Sequence, residues 1–356
     1  MVLTLITGVG TLCKAQASVA TQDHFGRVDA WLTDNVKEMG GRAILLVYKD
    51  GKVIYEKSVN DMNRRQKMVN KYIAKRQGEA ANLEDYTMQS RQPVASCSKW
   101  FSAALVMTFV DEGRLNLSDT VGKYLPVLSD HGKGGITVQQ CLSHLTGIKE
   151  PPLKESIKEM RHITSMDQAI ATIAEMPMEG RPGEVFHYSN AGLQIAGAIL
   201  EKISGKSFES LFAERISRPL GMKNTDFGNG PVAMPAGGAS STPEDYMRFL
   251  VMILDKGMYK GSRILSEKSV AEMQINRITP AIRIAYSPAE ALGLSGGYGY
   301  GEWIMGSAVT SPGLFGSFPW VDAGAGYCAF LMTFYLGSEG RGERYTSLKK
   351  LVDEAL

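Results

Sequence analysis

Residues 100–110, WFSAALVMTFV, are apolar nearly all the way round a helix. An amphipathic surface helix shows a polar stripe, whereas a helix without one must be wrapped on every side. The chain must therefore build a core thick enough to enclose a helix in its middle. Its 356 residues, 44% hydrophobic and 21% charged, suffice for one large domain or two smaller ones. Pro93 biases Gln92 to an extended conformation, the helix opens near Ser96, and Gly113 supplies its C-terminal stop.

Around this helix the pattern changes along the chain. Residues 43–57, AILLVYKDGKVIYEK, predict a hairpin, with two β-rich segments flanking the turn pair Asp50-Gly51. Residues 61–91 are polar and patternless, an insertion or long loop. The basic run Arg64 to Arg76 within them is expected to be a solvated insertion or helix face rather than a polyanion site. From about 115 to 290 helical signals dominate: Thr137 to Leu145; 189–204 with Gly205 as stop; and a helix capped by Thr242, with Pro243 at its first position, ending at Gly257. After 296 three strands are expected, and a helix over 344–356 closes the chain. Antiparallel strands from both chain ends with helices between imply an α+β fold.

Bulk charge narrows the function. Net charge is +2, from 39 basic and 37 acidic residues, which gives no reason to expect a nucleic-acid partner. No apolar run approaches a membrane-spanning length. Val2 to Leu12 is an apolar stretch followed by Ala15-Gln16-Ala17, an A-x-A pattern, so residues 1–17 are expected to be a signal peptide and the protein to be exported, periplasmic or secreted. Cleavage would remove Cys13 and leave Cys97, Cys141 and Cys328, too few for a disulfide framework. Five histidines without a zinc-type spacing give no expectation of a metal, and no cofactor motif is present.

The start of the apolar helix carries the chemistry. Ser96 and Lys99 stand three apart, on one helical face. A serine becomes a nucleophile when a base takes its proton, and a lysine can be that base if its pKa falls well below its ordinary value. The pairing is common, however, and recurs at Ser347 and Lys350. A second motif, Tyr188-Ser189-Asn190, adds a phenol able to move protons and an amide able to hold a substrate carbonyl together with Lys99.

With ASCSKW at 95–100 and YSN at 188–190, the chain resembles the serine β-lactamase and penicillin-binding-protein superfamily. It is most similar to the class C β-lactamase-related esterases and D-aminopeptidases. CLSHLTGI at 141–148, RPLGMKNTDF at 218–227 and STPEDYMRF at 241–249 support the likeness, which spans about residues 30–356. The resemblance implies a β-lactamase/transpeptidase-like fold in a single catalytic domain over 24–356. Its sheet parts would lie at about 40–95 and 296–356, with a mainly helical part at about 115–295. It implies Ser96 as the acylated nucleophile, and Lys99 either as base or as the group lowering the pKa of Tyr188. Tyr188 would pass the proton to the leaving group and activate the deacylating water, and Asn190 would position substrate.

The family's third motif is K-T-G, or His or Trp in place of Lys. The matching stretch here is Ser311-Pro312-Gly313, followed by Leu314, whose N–H would be the second oxyanion donor. Ser311 carries no charge where the family holds a drug's carboxylate, which favours neutral esters or amides. The expected substrate is thus a small-molecule ester or amide, including peptidoglycan-derived D-amino acid peptides. The alternatives are a true β-lactamase, a non-catalytic penicillin-binding-like sensor, and an acyltransferase.

Other candidates are weaker. Ser295 sits in a G-x-S-x-G match that lacks the strand-turn-helix context, and Gly205-Lys206-Ser207 lacks the first glycine of a P-loop. His144 and His187 are expected to support structure, and Cys97 to pack. Trp303, Trp320, Tyr298 and Tyr300 are candidates for either pocket wall or core.

Overall fold

The computed structural model describes residues 24–77, 81–152, 155 and 162–356. The expected signal peptide lies outside the described residues. The framework is a seven-stranded antiparallel sheet drawn from both ends of the chain. The strands are β1 (Arg42–Lys49), β2 (Lys52–Asn60), β5 (Gly297–Tyr298), β6 (Trp303–Met305), β7 (Ala308–Thr310), β8 (Phe318–Asp322) and β9 (Tyr327–Thr333), in the order β2-β1-β9-β8-β7-β6-β5. Two short strands outside the sheet, β3 (Val185–His187) and β4 (Arg283–Tyr286), pair in parallel.

The first hairpin forms as its turn dictates. Asp50 and Gly51 both have positive φ, 51° and 81°, the conformation of a two-residue turn matched to strand twist. After 296 the chain makes five strands, not three, because tight turns split the YGYGEWIMG region and its continuation into β5, β6 and β7. Within residues 61–91, read as an insertion or long loop, the basic run forms a regular helix, α2 (Arg64–Gln77), the helix-face alternative given for it.

Both faces of the sheet are buried, which explains the unbroken apolar run AILLV in β1. Ala43, Leu45 and Val47 face the terminal helices α1 (Gly26–Asn35) and α6 (Arg341–Ala355), together with Trp320, Ala329 and Leu331. Ile44 and Leu46 face the other way, toward the large helical core. That core surrounds α3 (Ser98–Asp111), whose first twelve residues are all buried. Against it pack α4 (Ala191–Ser204) and α5 (Pro243–Leu254), and α5 is capped by the Thr242 hydroxyl as its sequence requires. The apolar helix is thus the centre of the molecule, and its N-terminus emerges between the sheet and the helical part.

Candidate active site

Ser96 lies in a single 3₁₀ turn, Ala95–Cys97, that leads into α3. Ala95 is held at φ 48°, a conformation that costs a non-glycine residue free energy and persists only where its surroundings enforce it. Here the enforcement is visible. The Ser98 hydroxyl donates to the Ala95 carbonyl at 2.6 Å and accepts from the Ala239 N–H at 3.0 Å, while the Tyr246 hydroxyl donates to the Cys97 carbonyl at 3.0 Å. The turn sets Ser96 at the positive end of a buried helix. Among the described residues the backbone N–H of Ser96 has no protein acceptor.

One turn on, Lys99 is 1% exposed. Its Nζ is 3.4 Å from Ser96 Oγ, 3.2 Å from Asn190 Oδ1 and 2.8 Å from the Ala236 carbonyl. Burial lowers its pKa to about 8, against a smaller opposing pull from Glu150. A neutral amine has two N–H bonds and one lone pair. The two carbonyl-type oxygens can take the N–H bonds and leave the lone pair facing the Ser96 hydroxyl.

Tyr188 follows β3, and its ring lies 4.8 Å from Lys99 Nζ. The ring stacks on Trp303 and leans on His144. Burial raises its pKa, with the Ser96 hydroxyl acting in the opposite sense, so the phenol holds its proton. Its N–H donates to the Tyr286 carbonyl at 3.0 Å, so β4 braces the motif from outside. Asn190 is fixed by Glu150, which accepts from the Asn190 Nδ2 at 3.1 Å and from the Ala191 N–H at 3.0 Å. That carboxylate caps the start of α4 and turns the Asn190 carbonyl oxygen toward Lys99.

The third stretch lies just beyond β7. Ser311 is buried, with Oγ 3.2 Å from the Ser96 carbonyl and 3.0 Å from the Gly301 carbonyl, so it ties strand to nucleophile turn instead of facing open space. A Cβ on Gly313 would collide with the Val94 carbonyl and come within 3.1 Å of Cys97 Sγ, so this backbone approaches the turn as only glycine allows. Leu314 follows, 37% exposed, and its N–H has no protein acceptor among the described residues. Arg341 is almost fully buried and donates to the carbonyls of Leu314, Tyr335 and Gly337, so its guanidinium is engaged by backbone.

The structure therefore brings Ser96, Lys99, Tyr188, Asn190, Ser311 and Gly313 together. Glu150, the Ala236 carbonyl and Arg341 complete the arrangement and were not singled out from the sequence. A helix-capping acid forty residues upstream and a backbone carbonyl leave no local signature.

The competing candidates lie elsewhere. Ser295 is exposed between a 3₁₀ turn and β5, without the helix its motif needs. Ser347 is on α6, accepting from the Trp31 indole. Gly205 is the left-handed cap of α4 and Lys206 pairs with Glu214. His144 takes the Ser189 N–H on Nδ1 and meets the Tyr298 hydroxyl at 3.1 Å on Nε2, and burial keeps it neutral. His187 meets Glu179. Cys97 is packed, its thiol pKa pushed up by burial. Trp303 and Tyr298 wall the Tyr188 ring, whereas Trp320 belongs to the core on the far face.

Below the site, Glu302 is fully buried and neither carboxyl oxygen has a protein hydrogen bond. Burial pushes its pKa well up; the nearby Trp100 indole, outside hydrogen-bonding geometry, opposes this weakly. The native state keeps a proton that the unfolded chain loses above the ordinary carboxyl pKa, so this group costs stability as pH rises. Glu302→Gln removes that dependence. In urea unfolding, its advantage over wild type is expected to widen steadily as pH rises above the ordinary carboxyl range. Parallel stability profiles would show that Glu302 is ionised in the fold.

The serine and lysine of the S-x-x-K pair, the tyrosine–asparagine pair opposite and the glycine-tight strand end thus converge on one place. The chain belongs to the Beta-lactamase family, whose model matches residues 29–353. It is 25% identical over 226 residues to the D-alanyl-D-alanine-carboxypeptidase/endopeptidase AmpH of Escherichia coli K12, an alignment taking in 56% of this chain and 59% of AmpH. A Bacteroides dorei structure assigned to the beta-lactamases superposes with a TM-score of 0.74 at 27% identity, over 92% of this chain and 99% of the other. EstCE1, a hydrolase with promiscuous acyltransferase activity, shares the fold with a TM-score of 0.71 at 17% identity, over 94% of this chain and all of EstCE1 (100%). The β-lactamase/transpeptidase-like fold and the membership of the serine β-lactamase and penicillin-binding-protein superfamily follow.

Proposed function

We propose that the protein is an exported serine hydrolase that cleaves small neutral esters or amides through an acyl-enzyme on Ser96. The observation carrying this reading is the buried Lys99 amine against the Ser96 hydroxyl. Lys99 takes the Ser96 proton as the oxygen attacks the substrate carbonyl. The oxyanion is received by the N–H groups of Ser96 and Leu314, each such donor being worth about 3 to 4 kcal/mol in comparable sites. Tyr188, a neutral phenol at rest, protonates the leaving group and then serves the water that releases the acyl group. Asn190 holds Lys99 and the substrate.

The preference for neutral substrates rests on the third stretch. Ser311 is uncharged and turned to backbone, and Arg341 spends its guanidinium on three carbonyls. A cephalosporin or a D-alanyl peptide would bring a carboxylate there to meet an uncharged Ser311 and an Arg341 already engaged by backbone carbonyls. A charge-assisted hydrogen bond contributes about 1.5 to 3 kcal/mol, so its loss costs about tenfold to hundredfold in kcat/KM.

The test is a pH series with a p-nitrophenyl ester beside a cephalosporin. Ester kcat/KM is expected to rise as Lys99 loses its proton, with a midpoint near the value of about 8 set by its burial. The cephalosporin is expected to be the poorer substrate. Faster cephalosporin turnover would make the protein a β-lactamase, and a flat ester profile would remove Lys99 from the role of base.

A further inference from the structure

The helix α2 takes no part in this site, yet its surface is unlike the rest of the molecule. It carries Arg64, Arg65, Lys67, Lys71, Lys75 and Arg76 and no Asp or Glu, in a chain whose net charge is only +2. Its inner face is fixed to the body. Gln66 Nε2 donates to the Lys37 carbonyl at 2.8 Å, and Asn70 Oδ1 accepts from Arg42 at 3.2 Å. Gln66 and Asn70 are one turn apart, so the docked stripe is set and the opposite stripe points outward.

On that outward stripe Met68 is 63% exposed and Tyr72 is 60% exposed, again one turn apart, with Val69 at 49% beside them. Helical geometry places Arg64, Lys71 and Lys75 on one flank of this pair and Arg65 on the other. Of the acids before the helix, Asp61 is already paired with Lys37 at 3.1 Å. An exposed methionine and tyrosine between cationic flanks is the arrangement of a helix that lies in a bilayer interface. The apolar chains enter the headgroup boundary while lysine and arginine reach anionic headgroups.

We propose that α2 is a peripheral docking surface for an anionic lipid bilayer. A polyanion such as a nucleic acid or polyphosphate would need the charges alone. The apolar pair between the flanks makes lipid the partner that uses both. The helix is short and its apolar content small, so attachment is reversible and dependent on charge.

The test is co-sedimentation of the full chain with vesicles of phosphatidylcholine alone and of phosphatidylcholine with phosphatidylglycerol. Lys71→Glu with Lys75→Glu, and Met68→Ser with Tyr72→Ser, are compared with wild type; solution ester hydrolysis, independent of α2, reports folding. Wild type is expected to sediment with the phosphatidylglycerol vesicles and not with phosphatidylcholine alone. Each double variant should bind at least about tenfold more weakly with its ester turnover intact. Three results would each overturn the proposal: no sedimentation of wild type, equal binding to both vesicles, or undiminished binding of the Met68→Ser, Tyr72→Ser protein. The last would leave a simple polyanion patch.

Discussion

Ser96→Ala is expected to lower ester kcat by about 10⁴- to 10⁶-fold and to abolish covalent labelling by a fluorophosphonate in intact-protein mass spectra. The size follows from how the site is built. Nucleophile, base and proton donor act as one unit, so removing the first leaves the others nothing to work on, and only binding and the oxyanion donors remain. Lys99→Met should fall in the same range and not add to Ser96→Ala, because the lysine acts through the serine. The fold should survive the serine change. Ser96 Oγ meets only catalytic-site groups, with Lys99 Nζ at 3.4 Å, and the turn itself is fixed by Ser98 and Tyr246. An adduct persisting on the Ser96→Ala protein would place the nucleophile elsewhere. Wild-type protein that forms no adduct with fluorophosphonate, ester or cephalosporin would favour a binding module that keeps the fold.

The parts of this site that sequence could reveal are those that obey local rules. The buried helix announced itself by having no polar face, and the hairpin by Asp50-Gly51, whose positive φ values only a few residue types accept. Thr242 and Pro243 marked the start of α5 because capping is a contact within one turn. What was illegible is non-local. Glu150 reaches Asn190 across forty residues, and the Ala236 carbonyl reaches Lys99 across more than a hundred. Neither leaves a pattern, since any acid and any residue's carbonyl would read the same. Within 61–91 the basic run could be read as a helix face but not bounded, because Met68, Val69 and Tyr72 lie exposed instead of forming a stripe toward the core. The division of the chain after 296 into five strands is hidden for a related reason. Glycines that break a strand and glycines that admit a close neighbour look alike in sequence, and only packing tells them apart, as at Gly301, where a Cβ would stand 2.5 Å from the Lys99 carbonyl.

Gly313→Ala carries that distinction into an experiment. The added methyl meets the Val94 carbonyl, a backbone atom fixed beside the strained Ala95, and approaches Cys97 Sγ at 3.1 Å. A flexible side chain could swing away, but here the neighbour is main chain, so the stretch 311–314 must move off the nucleophile turn. The Leu314 N–H moves with it. Misplacing a catalytic group by about 1 Å costs about 10²-fold, so kcat for the ester is expected to fall by about that factor while KM changes little. Overpacking should also cost about 1 to 3 kcal/mol of stability, a loss the protein can sustain while still folding. Gly135→Ala is the control, because a Cβ there meets nothing within 4 Å. If Gly313→Ala turns over ester at the wild-type rate, Leu314 is not an oxyanion donor and the second donor must be sought outside this strand. If instead acylation by the fluorophosphonate slows together with ester turnover, the glycine is what lets the strand end reach the transition state.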